Sequence, residues 1–117
     1  MQAKSTRLSP STRALLQDPE NQLFLSAASA WEIAIKFALG KLPLPMTPAE
    51  YIPARMKTSG TVPLPIQHGH ALLAGSLPLH HADPFDRLLI AQAGSEDLRL
   101  LTADPQFESY DVDLLWA

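Results

Sequence analysis

His81-Ala82-Asp83-Pro84-Phe85-Asp86-Arg87-Leu88-Leu89-Ile90-Ala91-Gln92-Ala93 is the stretch whose reading decides the fold. Asp83 followed by Pro84 is a cap-then-proline start: the aspartate accepts from free helix N–H groups, and proline has no N–H to lose at the first helical position. Phe85, Leu88, Leu89 and Gln92 follow at helical spacing, so the helix reaches about Ala93. Next comes Leu98–Thr102, a short apolar strand ending near Asp104, and then a last strand over Val112–Trp116.

Working back toward the N-terminus, the same alternation repeats. Ser9-Pro10 starts a helix to about Gln17, and Asp18-Pro19-Glu20-Asn21 turns the chain. Leu23-Phe24-Leu25 is a short apolar strand. Ser29-Ala30-Trp31-Glu32 fits a capping box, which puts Glu32 in the first turn of a helix ended by Gly40. Thr47-Pro48-Ala49-Glu50 fits another, with a helix to about Ser59 that Pro53 should kink or shorten. Two prolines confine Val62–Ile66 to a sheet edge. Gln67–Gly75 reads as a short helix, and Leu77–Ala82 as a loop carrying His80 and His81. Helices alternating with strands predict an α/β fold with a mostly parallel sheet. Residues 1–117 make one domain, with no repeats and no internal boundary.

Composition narrows the chemistry. With 46% hydrophobic and 18% charged residues, the chain can build a core. A net charge of −3 argues against general coating of nucleic acid, which needs Lys and Arg to neutralise phosphates. It leaves room for a metal site built from carboxylates. The chain has no cysteine, which removes disulfides, thiolate zinc sites and thiol nucleophiles and suits a reducing cytoplasm. No apolar run approaches the ~20 residues that span a membrane, and Met1–Thr6 is no signal peptide.

Three acids stand where parallel strands would gather them. Asp104 follows a strand, at the end of the sheet where ligands of open α/β sheets bind. Glu32 and Asp86 start helices that would open at that same end. Converging carboxylates repel unless a cation lies between them, and hard oxygen donors select Mg²⁺ or Mn²⁺. Each acid also has a local explanation: Glu32 in its capping box, Asp86 at a helix N-terminus, Asp104 opening a turn before Pro105. His68, His70, His80 and His81 lack any metal-site pattern and read as surface or loop residues. Trp31 and Phe85 are expected to pack in the core rather than stack on bases. No glycine-rich phosphate loop or nucleophile elbow is present.

Ser26-Ala27-Ala28-Ser29-Ala30-Trp31-Glu32-Ile33-Ala34-Ile35-Lys36, the Asp83-Pro84-Phe85-Asp86 segment and Leu101-Thr102-Ala103-Asp104-Pro105-Gln106-Phe107 resemble, in this order, segments of PIN-domain ribonucleases of the VapC toxin type. The likeness runs from Leu8 to Trp116. It implies a three-layer α/β fold and a Mg²⁺- or Mn²⁺-dependent endoribonuclease toxin of a toxin–antitoxin system. The family's metal-binding and catalytic acids fall on Glu32, Asp86 and Asp104. Asp83 would mainly cap its helix, and Thr102 would support the site through its hydroxyl. Arg87 would meet a phosphate, or pair with Asp83 or Asp104. The resemblance further implies an RNA substrate, a small antitoxin partner and self-association. It departs at the start: the family opens with an apolar strand ending in aspartate, in the middle of the sheet, whereas Met1–Arg7 is polar and has no acid. The expectation is a PIN-like domain without its first strand and first site acid. Its catalysis would be impaired, or it would be a non-catalytic remnant that still binds an antitoxin or itself.

Overall fold

The computed structural model describes residues 9–78, 83–102 and 104–116. Helix α1 (Pro10–Gln17) begins as expected, with Ser9 Oγ accepting from the Thr12 N–H at 3.2 Å. Thr12 is buried, and its hydroxyl donates to the Trp116 carbonyl at 2.6 Å, tying α1 to the far end of the chain. Strand β1 (Phe24–Ser26) runs straight into helix α2 (Ala27–Ala38). This helix starts three residues earlier than the Ser29 box predicts. Ser26 is the N-cap, accepting from the Ala28 N–H at 3.0 Å, and Ser29 lies inside the helix with almost no exposure. Gly40, at φ +72°, follows the end of α2, as its position predicts.

Helix α3 (Pro48–Ser59) has the expected span. Thr47 precedes it, but its side chain makes no capping bond, so the second capping box does not form. Pro53 does not shorten the helix. The carbonyl left without a partner belongs to Ala49, which is exposed, so water can satisfy it. Gly60 at φ +69° ends α3 in a left-handed turn that a side chain would strain. Strand β2 (Val62–Leu64) pairs in parallel with β1, and Pro63 is tolerated because β2 lies at an edge.

Helix α4 (His68–Ser76) and helix α5 (Pro84–Ser95) pack against each other, and α5 also meets α2. Strand β3 (Leu100–Thr102) is buried throughout. A 3₁₀ turn, Pro105–Ser109, leads to strand β4 (Leu114–Trp116), which pairs in parallel with β3. Ala28, Leu89, Ile90, Ala93, Leu100, Phe107 and Tyr110 form the core. The fold is α/β with parallel pairing, as expected. Among the described residues no helix is long and apolar enough to cross a membrane.

The sheet differs from a single continuous one. Among the described residues β1 pairs only with β2, and β3 only with β4. Between the two pairs lies a cleft of about 270 Å³, lined by Leu16, Phe24, Leu89, Ala93, Leu100 and Leu101 among others. The two inner strands have not closed onto each other. The cleft has the place, and the apolar lining, that an intervening strand would need.

Candidate active site

Helix α5 carries the most deeply held acid. Asp83 Oδ1 accepts from the Phe85 N–H at 2.9 Å and from the Asp86 N–H at 3.4 Å, which fixes the first turn. Asp86 lies within that turn and is buried, 9% exposed. A buried carboxylate is rare without a compensating partner. Because Asp83 already occupies these two N–H groups, they are not open to a phosphate.

Glu32 sits in the second turn of α2 rather than the first, because Ser26 and not Ser29 caps the helix. Its carboxylate is 14% exposed and lies 3.4 Å from Lys36 Nζ, one turn on. Lys36 is half exposed, so the pair contributes only a few tenths of a kcal/mol. The side chain before Glu32 and the one before Asp86 touch: the rings of Trp31 and Phe85 are 5.2 Å apart, edge to face. This contact brings the two acid-bearing segments together. Trp31 itself is not in the core; it is 61% exposed.

Asp104 caps the 3₁₀ turn, with Oδ1 accepting from the Gln106 N–H at 2.9 Å. Its own N–H donates to Thr102 Oγ1 at 3.0 Å, so Thr102 holds the backbone of Asp104 in place. Asp104 follows β3, at the strand end where the sequence puts it.

Three carboxylates are the right donor chemistry for Mg²⁺ or Mn²⁺. Yet among the described residues no group of three or more His, Asp or Glu converges closely enough to hold an ion. A ready-made cage is therefore absent from that part of the chain. Mg²⁺ does not require one: it keeps several waters and commonly takes one or two carboxylates, with substrate phosphates completing its shell.

Arg87 lies inside, 8% exposed. Its guanidinium donates to the carbonyls of Ala74 and Leu77, both at 2.8 Å, and of Pro78 at 3.0 Å. Tyr110 donates to the same Pro78 carbonyl at 2.7 Å. The last turn of α4 has no basic residue of its own, so its carbonyls draw a cation from α5. The roles that the sequence offers Arg87 do not include this contact with the end of α4.

His70 is not a surface residue. It is 3% exposed, and its Nδ1 accepts from the Gln67 N–H at 3.1 Å, closing a capping box at the start of α4. His80 and His81 lie outside the described residues. Sequence reasoning also missed Gln92, which is 1% exposed. Its amide oxygen accepts from the Ser26 hydroxyl, and its amide nitrogen donates to the Pro65 carbonyl at 3.2 Å. It thereby clips the start of α2 and the end of β2 to α5. The available signal was a lone amide in the apolar run Leu88–Ala93, three residues after Leu89 and so on the buried face.

The chain was compared with known proteins. Over 59 residues it is 58% identical to Ribonuclease VapC16 of Mycobacterium tuberculosis (strain ATCC 25618 / H37Rv). That stretch is 50% of this chain and 42% of the relative, so less than half of the relative's length is matched. No solved structure matches the chain. The PIN domain family matches residues 6–113, a span that includes Glu32, Asp86 and Asp104. The parallel pair of β1 and β2, and acids placed at a strand end and early in two helices, belong to the same span, and the chain is a member of the PIN domain family.

Proposed function

We propose that this chain is the nuclease domain of a VapC-type toxin, acting on RNA through a divalent cation held by Glu32, Asp86 and Asp104. The observation that carries the reading is Asp86, a carboxylate buried in the first turn of α5 and brought beside the Glu32 segment by the Trp31–Phe85 contact. Membership of the PIN domain family and the identity to a ribonuclease support it. When bound, Mg²⁺ or Mn²⁺ would activate water and neutralise charge at the phosphate. The chain's own residues hold the carboxylates in place. Asp83 anchors the turn that carries Asp86, Thr102 fixes the backbone of Asp104, and Gln92 secures the start of the helix that carries Glu32. The partners in this reading are RNA as substrate, a small antitoxin as inhibitor and a second copy of the chain, all in the cytoplasm.

The described carboxylates do not close a cage, so activity is expected to be weak. A cation held by fewer carboxylates is less firmly placed to neutralise the charge that develops at the phosphate. The purified 117-residue chain is therefore expected to cut single-stranded RNA slowly or not at all in Mg²⁺. Robust cleavage, abolished by Asp104→Asn, would overturn the impairment and show that these acids suffice. The reading that the chain is a binding remnant gains if cleavage is absent and no Mn²⁺ binds.

A further inference from the structure

Tyr110 is a buried tyrosine at a place where phenylalanine would cost less to bury. Its ring belongs to the core that holds Phe107 and Ile90, and the residue is 7% exposed. A phenolic hydroxyl in such a place needs a partner. It donates to the Pro78 carbonyl at 2.7 Å and accepts from Arg87 Nη1 at 3.5 Å. The Pro78 carbonyl already accepts from the Arg87 guanidinium at 3.0 Å, so it does not need the tyrosine for want of a donor. What the hydroxyl adds is a tie between separate parts of the chain. Asp104 opens the 3₁₀ turn and Tyr110 closes it, with its N–H donating to the Phe107 carbonyl at 3.2 Å. Pro78 lies just beyond α4, and Arg87 follows Asp86 in α5.

We infer that the Tyr110 hydroxyl is a positioning group: it ties the turn that Asp104 opens to the part of α5 that carries Asp86, and so sets the separation at which one cation can take both carboxylates. This rests on the nuclease reading above, in which Asp86 and Asp104 share a metal. The two acids stand on different elements, and like charges drive them apart until a cation is bound. Asp86 is fixed by its helix. Asp104 has less support, because its turn follows a strand of three residues. Thr102 holds that turn at its start, through the Asp104 N–H. Tyr110 holds it at its end, and a turn held at both ends keeps its first carboxylate in place. Mg²⁺ demands near-ideal geometry, so a loosened ligand costs affinity even though the carboxylate itself is still there.

Tyr110→Phe removes the hydroxyl and keeps the ring, so the core stays filled. Thr12→Val is the control: it deletes another buried hydroxyl that donates to a carbonyl, on α1, which carries none of the three acids. Both variants are expected to fold and to melt a few degrees below the parent, which circular dichroism checks. In calorimetric titration with Mn²⁺, Tyr110→Phe is expected to bind roughly tenfold more weakly, whereas Thr12→Val keeps the parent's affinity. Without metal, hydrogen exchange at the Gln106 N–H, which donates to Asp104 Oδ1, is expected to quicken in Tyr110→Phe and not in Thr12→Val. A purely structural tyrosine would lower the melt and leave affinity and exchange as they are in Thr12→Val. Parent-like affinity in Tyr110→Phe, or an equal loss in Thr12→Val, would overturn the positioning role and leave the nuclease reading standing. So would exchange at Gln106 that the hydroxyl does not affect. A parent chain that binds no Mn²⁺ would overturn both.

Discussion

Arg87→Met is expected to destabilise the fold by about 3 kcal/mol, the largest single-residue effect we anticipate. The guanidinium is buried and bonds three carbonyls at the end of α4 and just beyond it. Methionine fills a similar stem but donates nothing, so those carbonyls lose their charged partner. Water cannot easily replace it, because Tyr110 and α5 close the site from the other side. Lysine is not a rescue: one ammonium on a flexible stem does not reproduce the planar fork that spans separate carbonyls. Urea unfolding would show the midpoint falling sharply with little change in slope. Since whole domains are stable by only about 5–15 kcal/mol, the variant should be partly unfolded in mild denaturant. A loss below about 0.5 kcal/mol would mean that water satisfies the carbonyls.

The second large effect concerns the cleft between β1 and β3. Two inner strand edges border an apolar space of about 270 Å³, and among the described residues they pair only outward. An apolar strand peptide ending in aspartate, added in trans, is expected to enter it and bond to both edges. Such a peptide at 100 times its dissociation constant would add about 2.7 kcal/mol through binding to the folded state alone. For a domain of this size that corresponds to a melting temperature higher by roughly 10 °C. A scrambled peptide of equal composition supplies the control. If the melt ignores both peptides, the cleft is closed to strands in solution and the chain is stable without one.

Local chemistry made much of the fold legible. Ser9-Pro10 and Asp83-Pro84 each announce a helix start through one residue's hydrogen bond and the next one's missing N–H, and both starts stand where expected. Gly60 announces an end through its left-handed turn. The start of α2 was misplaced because Ser26-Ala27-Ala28-Ser29 offers two serines three apart, each a competent cap. Gln92, 66 residues away in sequence, accepts from the hydroxyl of Ser26, and no nearby pattern encodes that contact. His70 was misjudged for a similar reason: its partner is the backbone of Gln67 at a helix start, which spacing of histidines alone does not disclose.

The candidate site was legible in part. Strand ends and helix starts put Asp104 and Asp86 where the structure has them, and a one-turn error affected Glu32. Periodicity placed Trp31 on a face of α2 but could not say whether another element covers that face. Arg87 was undetermined because its contacts depend on how α4 ends against α5, a tertiary matter. Convergence of the three acids depends on distances between separate elements, which no short-range pattern in the chain specifies.

The most direct test of the account is Mn²⁺ titration by calorimetry of the 117-residue chain beside Glu32→Gln, Asp86→Asn and Asp104→Asn. Each substitution keeps side-chain size while removing a charge, so folding should survive and can be checked by melting. Weak binding by the parent is expected, and a further loss of roughly tenfold or more in each variant, since a carboxylate is a far better ligand for a hard cation than an amide. Binding that is identical in the parent and in all three variants would contradict the claim that Glu32, Asp86 and Asp104 share one metal.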